Sequence, residues 1–272
     1  MKALIRKSFF RHAGMGTLPR QSRQSISNAM PAGRKKYGRI FFAVVTTAFA
    51  LAGVAGARGQ APAKAAKTPY PAMAPIDQYL MGRAAEIAMA QSAAPASISS
   101  HAEILVLGRH GYETAVKGEN GFVCIVERSW TSDFDDPEFW DPSLRAPMCL
   151  NPTGARTRLP LTFMKTKLAL DGLTKAQMFD SIQAAVERKE LPKPEPGSMC
   201  YMMSREGYYG PVHGHAFPHL MFFLSHTDGA IWGANLPGSP VLAFQDTPDP
   251  VTVFAVPVRQ WSDGTAAPSL VP

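Results

Sequence analysis

The sequence predicts an α+β fold: a single domain over residues 76–272, with a mainly antiparallel sheet and about three flanking helices. Two features carry this expectation. The C-terminal part consists of short apolar runs of strand length, parted by turn residues such as Asp228-Gly229 and Pro237-Gly238. Thr174 and Gln177 have the spacing of a capping box, so a helix starts there. One sheet flanked by helices is the layer arrangement of an α+β domain.

Taken in chain order, Ile76 to Gln91 follows Pro75 and reads as an amphipathic helix. Ile76, Leu80, Ala84 and Ile87 recur at helical spacing, with Asp77, Arg83 and Glu86 off that stripe. A Ser/Ala/Pro break follows over 92–100. Ile104 to Leu107 is a short apolar strand that continues over Tyr112 to Lys117. Gly118-Glu119-Asn120-Gly121 is then a turn, and Phe122 to Val126 returns as an antiparallel partner. Residues 129–160 carry Trp130, Phe134, Phe139 and Trp140 among five acidic residues. That length without regular structure points to a solvated loop anchored by its aromatics; the acidic spacing matches no EF-hand.

Leu161 to Leu170 reads as a helix closed by Gly172. The helix after Thr174 is supported by a hydrophobic staple of Leu173 with Met178 and runs to about Glu190. Beyond the Pro-rich break at 191–197 the strands are Met199–Met203, Leu220–Ser225, a short piece at Ile231-Trp232, Val241–Phe244 and Val251–Val258. Pro257 marks the last as an edge strand.

The formal charge of +7 belongs to the start of the chain. Residues 1–57 hold ten Lys/Arg and no acid, which leaves 18 basic against 21 acidic residues in the rest. A remainder this close to neutral carries no footprint for nucleic acid. Residues 1–57 read as an N-terminal extension and signal peptide. Arg34-Lys35-Lys36 and Arg39 form a basic region, Ile40 to Gly56 an uncharged apolar run, and Ala55-Gly56-Ala57 a small-residue cleavage site. Translation from Met30 rather than Met1 gives a conventional leader length. The competing reading is an uncleaved anchor, the one way this chain would meet a membrane. Residues 58–75 are a Pro/Ala-rich linker expected to be disordered, and the compartment implied is periplasmic or secreted.

Three cysteines in an exported chain favour one disulfide and one thiol. Cys124 lies in an apparent strand and Cys149 ends an irregular segment just downstream, so these two are paired. Cys200, within the apolar run Met199–Met203, is left as a reduced, buried hydrophobe.

The sharpest chemical signal is the cluster of His213, His215, His219 and His226. On an extended chain His213 and His215 point the same way, and the bend at Phe217-Pro218 brings in His219. Three imidazoles with an open position suit zinc and an activated water, hence a metal-dependent hydrolase. Met202, Met203, Met221 and Cys200 nearby are soft ligands that would favour copper instead. Gly214 and Pro218 equally mark tight backbone geometry in which the histidines serve hydrogen bonding. His-x-His resembles the first motif of cupin barrels, but the expected Glu is replaced by His219. Gly108-Arg109-His110-Gly111 resembles the Arg-His-Gly core of histidine phosphatases and lacks the further arginine that follows it there. The chain has no nucleophile elbow, zinc-protease helix, phosphate loop or dinucleotide fingerprint.

The pieces Asn120-Gly121-Phe122-Val123-Cys124, Arg145-Ala146-Pro147-Met148-Cys149, Tyr201-Met202-Met203, Pro218-His219-Leu220-Met221 and Trp232-Gly233-Ala234-Asn235 resemble a group of exported bacterial proteins with no activity to carry over. The resemblance spans about residues 76–258. It implies the Cys124–Cys149 pairing and favours His219 over His213 or His215. Two main classes of function follow. One is a periplasmic or secreted binding protein for a small molecule, its pocket lined by Tyr201, His219, Trp232 and Asn235. The other is a metal site at His213, His215 and His219, serving a hydrolase or, with copper, a metal-binding protein.

Overall fold

The structure is a computed structural model that describes residues 70–215 and 217–268. The chain divides into two units, Met1–Ala61 and Pro62–Pro272, and every described residue belongs to the second. The leader and its cleavage site lie outside the described residues. No helix among the described residues is long and apolar enough to cross a membrane.

The expected class holds: a mostly antiparallel eight-stranded sheet with helices against it. The strands are β1 (Glu103–Gly108), β2 (Gly111–Val116), β3 (Val123–Glu127), β4 (Ala146–Leu150), β5 (Met199–Met202), β6 (His219–Ser225), β7 (Leu242–Asp246) and β8 (Val251–Pro257). The helices are α1 (Arg83–Gln91), the short α2 (Ala96–Ser99), α3 (Pro152–Leu170), α4 (Lys175–Glu187) and the four-residue α5 (Gly210–His213). The spatial order is β2-β1-β3-β4-β5-β6-β8-β7, and only β1 and β3 run parallel.

Several elements differ from their sequence reading. Residues 76–91 form no single helix. Ile76–Gln78 is a 3-10 turn, Gly82 is extended, and α1 starts after it. The interruption buries Tyr79, whose hydroxyl donates to the Trp140 carbonyl at 2.8 Å. Glu86, placed off the apolar stripe, is also buried; it meets Arg128 at 2.8 Å and accepts from the Leu107 amide. The first hairpin turns at Arg109-His110, between β1 and β2, rather than at Gly118–Gly121. The latter segment instead carries the chain back over the start of β1, so closely that a Cβ at Gly118 would lie 2.2 Å from the Glu103 nitrogen. That crossing lets β3 join the other edge of β1 in parallel. Exposed His110 sits at the hairpin tip, far from any phosphatase-like arrangement.

The segment 129–160 is more regular than its composition implied. It contains β4 and the first half of α3, whose N-cap Asn151 accepts from the Gly154 amide at 2.7 Å. Asn151 also donates to Gly197 and accepts from Met199, which ties the start of α3 to β5. Pro160 lies inside α3 and hid the helix from a propensity reading. Thr174 and Gln177 do form the capping box. Ile231-Trp232 belongs to a 3-10 turn (Gly229–Trp232) rather than a strand. β8 is not at the edge, because β7 folds back outside it. Pro257 is tolerated since β7 ends its pairing at Ala255. The linker expected over 58–75 falls outside the described residues as far as 69, while Tyr70, Met73 and Ala74 pack on a buried aromatic cluster.

Strand alternation divides the core by face. Leu105, Ile125, Met148, Cys200, Met202 and Phe223 lie together beneath α3, while Ile104, Cys124, Val126 and Cys149 pack with Ala90 of α1 and with Ala93. Cys124 and Cys149 are cross-strand partners joined as a disulfide, and Cys200 is free and buried. With 25 residues between its ends the bridge contributes on the order of 3 kcal/mol.

One buried cation fastens α3 to the far end of the sheet. Arg158 donates to Asp249 at 2.6 Å and to Asp246, and its guanidinium lies 5.0 Å from the centre of the Phe223 ring. Replacing Arg158 by Met leaves Asp249 without its cation and Asp246 with only the Lys165 ammonium at 3.9 Å. Urea unfolding is expected to show a loss of about 3–5 kcal/mol. Adding Asp246→Asn and Asp249→Asn should recover most of it. A loss under about 1 kcal/mol would mean solvent already screens the pair.

Candidate functional site

Beyond β5 the face beneath α3 is not filled by side chains. A cleft of about 570 Å³ lies there. Its floor is Met148 of β4, Met202 of β5, Met221 and Phe223 of β6, and Val253 and Ala255 of β8. Alternation places all six on one face, and His219 with them. Arg158, Leu161, Thr162 and Lys165 of α3 form one wall, and the segment 131–136 another. Tyr209, His213, His215 and Phe217, with the inner side of β7, complete it.

The cleft is apolar below and ionisable above. Glu127, at the end of β3, accepts from the Thr162 hydroxyl at 2.9 Å, and burial pushes its carboxyl above the usual range. Asp133 is raised likewise by burial, with the nearby Asp246 charge adding to it. The Lys165 ammonium donates to the carbonyls of Thr131 and Ser132, and stands 3.9 Å from Asp246. Burial draws the Arg158 guanidinium down, but the two aspartates outweigh it and hold it above its ordinary value. Burial also drives the Tyr209 phenol upward, and it donates weakly to the Met202 sulfur.

The three histidines all border the cleft but do not converge as one ligand set. His215 Nδ1 donates to the Gly207 carbonyl at 2.9 Å, and His219 Nδ1 to the Phe217 carbonyl at 2.8 Å. A carbonyl only accepts, so Nδ1 carries the proton in the neutral form of either ring, which leaves Nε2 a lone pair. Burial lowers the His219 pKa, which favours its neutral form. His213, on α5, turns instead toward two carboxylates. Ligand atoms of His213, Asp136 and Glu138 lie within 4.8 Å of one another, the one such trio among the described residues. The bend expected at Phe217-Pro218 therefore leads into β6 without closing three imidazoles on one point.

The four residues expected to share a binding pocket are divided between the faces. Only His219 borders the cleft. Tyr201 alternates with Met202 and so points to the opposite face, against Phe122. Trp232 is on that face too, stacked on Phe254 with ring centres 4.4 Å apart. Asn235 clamps the start of β7, donating to the Ala243 carbonyl and accepting from the Ala243 amide. The copper grouping is scattered as well. Met202 and Met221 are on the cleft floor, whereas Cys200 is sealed in the core and Met203 borders a separate groove beside Tyr201.

Comparison with protein-family models, curated proteins and solved structures returns no match. The geometry therefore stands alone. It adds Glu127, Arg158, Lys165 and Asp136, none of which carried a sequence motif. The signals available were faint: Arg158 and Lys165 as cations on a helix face otherwise apolar at Leu161, and Glu127 closing an apolar strand.

The displaced acid makes a pH prediction. Unfolded, Glu127 loses its proton near pH 4.3; folded, it keeps the proton to higher pH. The unfolded chain thus binds fewer protons above that point, and stability is lost as pH rises toward the folded pKa. Glu127→Gln retains the acceptor for Thr162 and cannot ionise. Urea melts from pH 4 upward should show the variant gaining on the wild-type protein. A constant difference across that range would show that folding leaves the Glu127 carboxyl titrating as it does in the unfolded chain.

Proposed function

We propose that this is an exported small-ligand-binding protein, periplasmic or secreted, whose ligand occupies the cleft between α3 and the sheet. The order of basic region, apolar run and small residues over 34–57 supports export, as does the resemblance to exported bacterial proteins. The observation that carries the binding reading is the cleft itself. Its volume of about 570 Å³ lies within the usual range for small-molecule sites, and it combines an apolar floor with a few convergent polar groups. Such a site takes a ligand with an apolar body on Met148, Met202, Met221 and Phe223. The polar end of the ligand meets Glu127, Lys165 and the Nε2 lone pair of His219. Because Arg158 is already held by two aspartates, the His219 Nε2 lone pair favours an N–H donor over an anion.

The uncharged probe N-phenyl-1-naphthylamine has this form: two aromatic bodies and one N–H. Its fluorescence should rise saturably with the wild-type protein. Met221→Trp, which fills the floor, should weaken binding at least tenfold, about 1.4 kcal/mol, without unfolding the protein. Trp232→Phe, on the opposite face, should leave binding unchanged. Binding indifferent to Met221→Trp, or abolished by Trp232→Phe, would place the ligand elsewhere.

A further inference from the structure

Two residues on from the cleft-lining Asp136, Glu138 is 1 % exposed, and its Oε2 is buried without a hydrogen-bond partner. A carboxylate oxygen stripped of water and left unpaired costs free energy comparable to a lost charged hydrogen bond. Its other oxygen, Oε1, accepts from the Val212 amide at 2.9 Å. This fixes the group against the start of α5. Gly210 makes the approach possible: its φ of +90° suits glycine, and a Cβ there would lie 2.5 Å from the Glu138 carboxyl carbon. Asp136 is bound to the same turn, its Oδ1 accepting from the Glu138 amide at 2.7 Å. Its Oδ2 lies 3.8 Å from His213 Nε2.

We propose that Asp136, Glu138 and His213 form a binding site for a divalent transition-metal ion. One imidazole and two carboxylates are the mixed donors that zinc accepts, and Glu138 Oε2 is the donor with no other partner. Two ligands of a tetrahedral zinc ion are about 3.4 Å apart for bonds near 2.1 Å. The 3.8 Å between Asp136 and His213 closes to that distance with a small rotation of a half-exposed ring. Both of these residues border the cleft. The site has three protein ligands and one open position, the pattern of zinc sites that bind an exchangeable group. It does not depend on the ligand-binding reading, since the donors lie on the rim rather than the floor.

The test is zinc titration calorimetry on untagged protein stripped with a chelator. The wild-type protein should bind one equivalent saturably and melt at a higher temperature when loaded. His213→Ala, whose ring is half exposed and makes no hydrogen bond essential to the fold, should weaken zinc binding at least tenfold, about 1.4 kcal/mol. Its metal-free melting temperature should match the wild type. Asp136→Asn and Glu138→Gln should weaken zinc binding in the same way. His215→Ala and His219→Ala should bind zinc as the wild type does. No saturable binding, or binding that survives His213→Ala, overturns the site. Loss on His215→Ala or His219→Ala as large as on His213→Ala also overturns it, in favour of a site built from the histidines. Because N-phenyl-1-naphthylamine binding reports on the floor alone, failure of that probe with zinc binding intact leaves the metal site standing and removes only the small-ligand reading.

Discussion

The buried guanidinium of Arg158 is the constraint around which the rest of the site is arranged. α3 packs on β2 through β5 by apolar contact, but across β6, β8 and β7 it has no comparable contact. There the tie is ionic, through Asp246 at the end of β7 and Asp249 in the turn to β8. The attraction is largely offset by the cost of desolvating three charges. Its consequence is therefore positional. It ties the helix to the end of β7 and the turn into β8 at the length of an arginine and two aspartates. The cleft is the volume that results.

The two faces of the sheet are used differently. On one, α1 and the Cys124–Cys149 bridge close a core of small and branched side chains around Ala90 and Ala93. On the other, bulkier and more pliable residues, Met148, Met202, Met221 and Phe223, border a space that is not filled. Methionine suits such a floor, because its unbranched thioether adapts to whatever lies on it. The polar residues follow the same division. Asn235, whose hydrogen-bond needs are met within the protein, is structural. Glu127 and the Nε2 atoms of His215 and His219 keep bonding capacity on the cleft side, and Glu138 keeps an unpartnered Oε2 behind Asp136.

Segment 133–141 shows how an irregular stretch becomes precise. Phe134 and Phe139 pack together with ring centres 5.2 Å apart, and Trp140 meets Phe139 edge to face. Lys165 and Lys175 lie over the Phe134 and Phe139 rings. With its aromatics fixed in this way, the segment's acids are held still, and Asp136 and Glu138 meet His213 from a stretch some 75 residues earlier in the chain.

The features legible in the residues alone were local. The capping box at Thr174, the strand runs of β5, β6 and β8, and the choice of Cys200 as the unpaired thiol all rest on periodicity, caps or near neighbours. These are interactions between residues a few positions apart. Strand parity likewise set His219, Met221 and Phe223 on one side and Leu220 and Phe222 on the other. The tertiary structure alone decided what those sides faced. Gly118–Gly121 has turn chemistry wherever the next strand pairs, so the residues could not say that β3 joins β1 in parallel. Tyr201 and Trp232 are attractive pocket residues by type, and only the position of α3 on the opposite face excludes them. The histidines were visible as a cluster in sequence, but a ligand set needs convergence in space. His213 finds its partners in a distant loop because the chain between them folds α3, α4 and β5 before returning.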